Sequence, residues 1–240
     1  MKKILLSALL FIASLPMFAQ LNMQLHHDFG HHLYGHELSN RPYWTATVEN
    51  FTADKWGNTF FFIDMDFGDK TMKSVYAEIS REFNLGKSPF AAHIEYNGGL
   101  SGTTGSYDDA YLAGAAWNWA NKDFSKTFSL KLLYKHLANQ PSSNKHSWQL
   151  TTVWGIHFAN GLCSFTGFAD LWHDNSVTGN LIFCSEPQFW FNLNALEGVD
   201  DDFKLSVGGE LELTKNMVWP ADGLNDNFYA IPALGVKWTF

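Results

Sequence analysis

Carboxylates recur at even intervals along this chain: Asp64 and Asp66, Glu78 and Glu82, Glu210 and Glu212, with Glu49, Glu95, Asp170 and Glu186 in similar surroundings. A pair on neighbouring strands, such as Asp64 and Glu78, has the residue types for general acid–base work. Ser164 or Ser206 with His157 would supply a nucleophile and its base, although no local motif marks them. Five of the ten histidines crowd one stretch, His26, His27, His31, His32 and His36. Such a cluster could hold Zn²⁺ or Cu²⁺ at a barrel mouth. No Cys or carboxylate cage accompanies it, so the expectation is a polar loop, with no metal and no cofactor.

The elements that must position these residues are strands. Helical spacing is hard to find after residue 20, whereas period-two alternation is nearly continuous. In Thr59 to Phe67, Phe61, Ile63, Met65 and Phe67 oppose Phe60, Phe62, Asp64 and Asp66. Trp148, Leu150, Thr152, Trp154, Ile156 and Phe158 oppose Gln149, Thr151, Val153, Gly155 and His157 in the same way. Twelve such windows run over 21–29, 42–53, 58–67, 74–83, 89–98, 109–120, 126–137, 147–158, 162–172, 181–194, 203–214 and 228–240. Each has about the 9–11 residues that a tilted strand needs to cross a bilayer, and the number is even, as in bacterial barrels. Connections after odd-numbered windows are mostly long and those after even-numbered ones mostly short, so the long loops read as extracellular and both termini as periplasmic.

Lys2, Lys3 and the apolar run that follows read as a secretory signal peptide over residues 1–20, cleaved between Ala19 and Gln20. The rest, 21–240, reads as one barrel domain. With Lys2 and Lys3 set aside, 14 basic residues face 24 acidic ones, a net charge of −10. That excludes a phosphate-neutralising face and hence a nucleic-acid partner. The frames put Cys163 and Cys184 on opposite faces near opposite strand ends, so no disulfide is expected between them.

Period two does not say which face meets lipid. Trp44, Tyr96, Trp117, Trp119, Tyr134, Trp148, Trp154, Phe189, Phe191 and Trp238 share faces with aliphatic residues, many near window ends where interfacial aromatics belong. In the last window Phe228, Ala230, Leu234, Val236, Trp238 and Phe240 form one face, and Phe240 is similar to the aromatic C-terminal signal offered to the outer-membrane insertion machinery. The fold expected is therefore all-β, a 12-stranded antiparallel transmembrane β-barrel in outer-membrane lipid. Only Arg81 then falls on the lipid side, near enough to a strand end to snorkel.

With that orientation the interior is polar and acidic. Asp28, Glu49, Asp64, Asp66, Glu78, Glu82, Glu95, Asp170, Glu186, Glu210 and Glu212 point inward with Lys131, Lys135, Lys204 and Lys237. Gln188 and the aromatics Phe60, Phe62, Tyr76, Phe168, Trp172, Trp190 and Tyr229 share that wall. Such a lumen suits a small solute that is neutral or cationic and disfavours anions. The expectation is a passive channel rather than an enzyme; the alternatives are a closed barrel recognised through the loops 30–41 and 215–227, and a lipid-modifying enzyme using Ser164 or His157.

The segment Lys55-Trp56-Gly57-Asn58-Thr59-Phe60-Phe61-Phe62-Ile63-Asp64-Met65 resembles the aromatic-rich, Asp-ending strand of the nucleoside-specific channel-forming (Tsx-like) porins. The segments His27-Asp28-Phe29, Glu95-Tyr96-Asn97-Gly98-Gly99-Leu100 and Ser185-Glu186-Pro187-Gln188-Phe189-Trp190 are similar to small outer-membrane proteins of Bacteroidota. The first likeness implies diffusion of nucleosides or related solutes; the second brings no activity with it.

Overall fold

A computed structural model describes residues 19–68, 70–102, 105–175, 177–218, 220–223 and 225–240. The signal peptide expected over 1–20 lies outside these residues, apart from Ala19 and Gln20, with which the first strand begins.

The alternating windows form strands β1 (Ala19–Asp28), β2 (Trp44–Asp54), β3 (Gly57–Phe67), β4 (Met72–Asn84), β5 (Phe90–Ser101) and β6 (Ala110–Ala120). They continue as β7 (Lys126–Leu137), β8 (His146–Phe158), β9 (Cys163–His173), β10 (in two halves, Leu181–Ser185 and Gln188–Asn192), β11 (Leu205–Lys215) and β12 (Phe228–Thr239). Each strand pairs antiparallel with its sequence neighbours, and β1 closes on β12 from Asn22↔Thr239 to Asp28↔Ala233. Closure leaves no unpaired edge, which a bilayer would penalise by several kcal/mol per orphaned backbone group.

The break in β10 is a matter of one missing donor. Pro187 has no N–H to give to the ladder, yet Cys184 still opposes Asp170 and Gln188 still opposes Thr166, so the register runs through unshifted. Glu186 N donates to Phe168 O at 3.1 Å, and Pro187 O accepts from Leu211 N at 3.0 Å. Glu186 therefore stays on the same face as Cys184 and Gln188.

The orientation is the one expected for lipid. Met23, Leu25, Ile63, Ile79, Ile94, Leu130, Leu132, Leu234 and Val236 are exposed on the outer wall, while Asn22, Gln24, His26, Asn97, Gln149 and Thr151 are buried. Exposed aromatics form a girdle near each rim: Trp44, Tyr96, Tyr111, Tyr134 and Trp148 at the end with the long loops, and Trp119, Phe128, Phe158, Phe191 and Trp238 at the end with the short turns. Apolar atoms thus meet hydrocarbon, and the rings meet the headgroup zone. No described helix is long and apolar enough to cross a membrane. Arg81, on the outer wall three residues from the end of β4, turns to the rim and donates to Asp54 at 2.9 Å and Thr59 at 3.0 Å. Cys163 and Cys184 are both free. One inward assignment is corrected: Lys204 is exposed and precedes β11, so its side chain is not held to the alternation of the strand.

Candidate functional site: the barrel lumen

The first long connection, read from the sequence as a polar loop over 30–41, runs from 29 to 43 and turns inward. Helix α1 (Gly30–Tyr34) and a 3₁₀ turn (Gly35–Leu38) carry Leu38 to full burial against Val218, Tyr229 and Ile231. Tyr229 and Ile231 are inward-facing residues of β12, so Leu38 packs on the inner wall. Burying this leucine stabilises the loop's position by about 1.5–3 kcal/mol. The Tyr34 hydroxyl adds hydrogen bonds with Ala230 O and N at 3.2 and 3.0 Å.

The same loop delivers Arg41 into the barrel. Arg41 Nε and Nη2 lie 2.9 and 2.7 Å from Asp28 Oδ2, and Nη2 lies 2.5 Å from Glu212 Oε2. Burial disfavours the charged guanidinium, but Glu212 and Asp28 outweigh that and raise the Arg41 pKa above its ordinary value. Asp28 also accepts from Gly30 N at 2.6 Å, so one carboxylate holds both the start of α1 and the end of the loop. Lys73 fastens the far side through Asn40 O and Arg41 O at 3.2 and 3.0 Å. Glu37 ties the loop to the connection before β12: its carboxylate accepts from Tyr229 at 2.6 Å, Asn227 at 3.0 Å and Asn225 at 3.1 Å. These donors, the Tyr229 hydroxyl foremost, hold the Glu37 carboxyl below its ordinary value.

Beneath this loop the acidic residues sort into two groups. In the first, Asp64 of β3 is near enough to Glu186 and Glu210 of β10 and β11 to interact electrostatically, and these two interact in turn with Glu212 of β11. Thr47 donates to Asp64 at 2.5 Å, Gln188 to Glu210 at 3.0 Å, and Trp190 to Gln188 at 3.0 Å. Asp66 accepts from Thr45 and Ser74 at 2.8 and 2.6 Å. Glu49 accepts from Asn22 at 3.0 Å, and Lys237 sits 4.4 Å above the Trp190 ring.

The second group joins β4, β5, β7 and β9. Glu78 interacts with Glu95, Asp170 and Lys135 and accepts from Tyr76 at 2.7 Å. His93 bridges Glu82 at 3.3 Å and Glu95 at 3.0 Å. Lys131 Nζ is 3.5 Å from Glu82, while Lys135 lies 4.4 Å above the Trp172 ring and donates to Gln149 at 2.9 Å. A chain of rings, Phe60, Phe62, Tyr76 and Tyr107, with successive centroids 6.1, 6.0 and 5.8 Å apart, runs up the wall beside the acids.

The fold treats the residues singled out by type differently. Asp64 and Glu78 are diagonal neighbours on the inner faces of β3 and β4, each with its own donor, Thr47 and Tyr76. The five N-terminal histidines do not converge. His26 points inward; His27 rests against Trp44 with centroids 4.6 Å apart; His31 stacks on Tyr43 at 4.2 Å; His36 lies 3.4 Å from Asp222. Ser164 and His157 do meet, Oγ to Nδ1 at 2.9 Å, at the short-turn end. Asn192 also donates to Ser164 Oγ at 2.9 Å and accepts from Ser206 at 2.8 Å, and Ser164 is buried. That arrangement cross-braces β8, β9, β10 and β11.

Sequence reasoning missed Arg41 and His93, and took His26 only as a member of the N-terminal histidine cluster. Only two arginines occur in the chain, and Arg41, placed just before Pro42 at the foot of a strand facing eleven acids, was the available signal.

By sequence no curated protein matches the chain. By structure it is similar to the NanC porin, with a TM-score of 0.59 at 11% identity over 92% of this chain and 100% of that one. It is also similar to the KdgM porin solved in complex with disordered oligogalacturonate, with a TM-score of 0.50 at 8% identity over 92% and 99%. At such identities the likeness establishes the fold, that of the outer-membrane porin barrels. Residues 19–240 match a single family, and the chain belongs to it: the domain of unknown function DUF5020.

Proposed function

We propose that this protein is a diffusion channel of a Gram-negative outer membrane for small polar solutes, with the loop 29–43 setting its narrowest point. The observation that carries this reading is the wall beneath the loop. A barrel meant only to persist in lipid can fill its interior with apolar side chains, whereas this one sets two groups of carboxylates along it. Acids in excess of bases attract cations and repel anions, so neutral and positively charged solutes pass. Both structural relatives named above are called porins, which supports the channel class. The ring chain Phe60–Phe62–Tyr76–Tyr107 offers flat apolar surface beside hydrogen-bond acceptors. It suits ring-bearing neutral solutes such as nucleosides, in keeping with the Tsx-like segment 55–65. The long loops face the exterior, both termini the periplasm, and the outward face of β12 through Trp238 and Phe240 serves the insertion machinery.

The test is conductance of the refolded protein in planar bilayers, with reversal potentials across a salt gradient and added nucleoside as competitor. A cation-selective step reduced by nucleoside is the expected result; a step indifferent to nucleoside leaves the channel and removes that substrate. A second reading, a barrel kept shut by its loop, draws on the Glu37 and Arg41 tethers. It requires silent bilayers that conduct once residues 30–40 are replaced by a short glycine-serine turn.

A further inference from the structure

Along the inner face of β1, three side chains form a ladder whose direction of donation is fixed. Glu49, as a carboxylate, can only accept. Asn22 Nδ2 donates to Glu49 Oε1 at 3.0 Å, Gln24 Nε2 donates to Asn22 Oδ1 at 2.9 Å, and Gln24 Oε1 is thereby left as the acceptor facing His26 Nε2 at 2.9 Å. His26 Nε2 must therefore carry the proton. In a neutral ring Nδ1 is then a bare lone pair, and no hydrogen-bond partner reaches it. His26 is only 2% exposed, so water does not compensate freely. Nδ1 points toward Glu210 Oε1 at 3.8 Å, beyond hydrogen-bond length. The other Glu210 oxygen already accepts from Gln188. Two acceptors thus face one another across a gap, with Asp64, Glu186 and the Arg41-paired Glu212 near Glu210, and Lys237 near His26.

We propose that this gap is a binding site for the ammonium group of a small organic amine passing through the lumen. An ammonium offers several N–H donors at once, so it can satisfy His26 Nδ1 and Glu210 Oε1 together while the surrounding carboxylates balance its charge. A bare metal ion would need three or more close ligands, and the described residues hold no such cluster. Glu210 is 19% exposed at its side chain, so the lumen reaches the gap from that side. The site rests on the channel reading only for its route of access.

The test is titration calorimetry on the folded barrel in detergent, with propane-1,3-diammonium, its hexamethylated analogue and uncharged propane-1,3-diol. The two cations share charge, but only the first has N–H donors. The expected result is binding of the diammonium tighter than its methylated analogue by on the order of tenfold, no heat from the diol, and loss of that preference in Glu210→Gln and His26→Phe. Folding of both variants is checked by their heat-dependent mobility on gels. Equal binding of the two cations would mean a diffuse acidic field and would overturn the site, as would no binding of either. Bilayer recordings separate the two readings: preference without conductance keeps the site and removes the channel, and conductance without preference does the reverse.

Discussion

Arg41 and Glu212 sit 171 residues apart in the chain, and in the barrel the Arg41 guanidinium lies 2.5 Å from the Glu212 carboxylate. The contact joins the loop to β11, two strands round the wall from β1, with Asp28 as the second anchor. Arg41→Ala leaves both carboxylates buried without their cation. Breaking one partner out of a buried pair costs about 3–5 kcal/mol, and the loop loses its anchor. Equilibrium unfolding in urea should show that loss, and bilayer recordings should show larger and more cation-selective steps. Unchanged conductance would mean that the loop does not set the constriction.

The orientation of the wall is open to a paired test. Leu132 is 63% exposed at the middle of β7's outer face. Leu132→Lys should destabilise the refolded barrel in lipid vesicles by about 2–4 kcal/mol. Val153 faces inward, opposite Ser129 and Phe168. Val153→Lys should cost far less and shift reversal potentials toward anions. The reverse ranking would invert the faces.

Gly167 opposes Trp154 on the outer wall, with φ near 153°. A Cβ there would stand 2.8 Å from the Trp154 ring and 2.5 Å from Glu186 O. Gly167→Ala should therefore cost about 1–3 kcal/mol, read as a lower urea midpoint. A wild-type midpoint would show that Trp154 moves aside without penalty.

The Glu37 tether gives a pH dependence of known sign. Its carboxyl is held below the ordinary 4.5, first by the Tyr229 hydroxyl and then by Asn227. A depressed carboxyl stabilises the folded loop above its unfolded value, and that stability is lost as pH falls through the folded value. Protease cleavage within 30–43 should therefore stay slow at neutral pH and rise below pH 4.5. In Glu37→Gln it should be fast and flat across the same range.

Trp190 is fully buried inside the barrel, between His26, with centroids 5.5 Å apart, and Lys237. Trp190→Ala should cost about 3–5 kcal/mol in unfolding free energy. A cost well under 1 kcal/mol would mean that the lumen is loosely filled at that level.

The strands were legible because a two-residue period is a local property: each residue's face follows from its neighbour's, and one apolar face against one polar face is a pattern that a barrel in lipid demands over its whole height. Phe61, Ile63 and Met65 against Phe62, Asp64 and Asp66 settle β3 without any knowledge of β4. The same logic carried through Pro187, where the register holds although a donor is missing. Aromatic type near the window ends then gave the faces their direction.

Alternation is silent on what meets across the enclosed space, since strands far apart in the chain contribute to one level of the wall. That Asp64 of β3 comes within electrostatic reach of Glu186 and Glu210 of β10 and β11 depends on the cross-section of the closed barrel. A loop obeys no period at all. Arg41 reaches the lumen because Leu38 finds an apolar seat on Tyr229 and Ile231 and because Asp28 and Glu212 wait unneutralised below it. Composition and periodicity determined a polar barrel in a bilayer; only the packing of distant side chains decided where the first loop lies and which charges face one another inside.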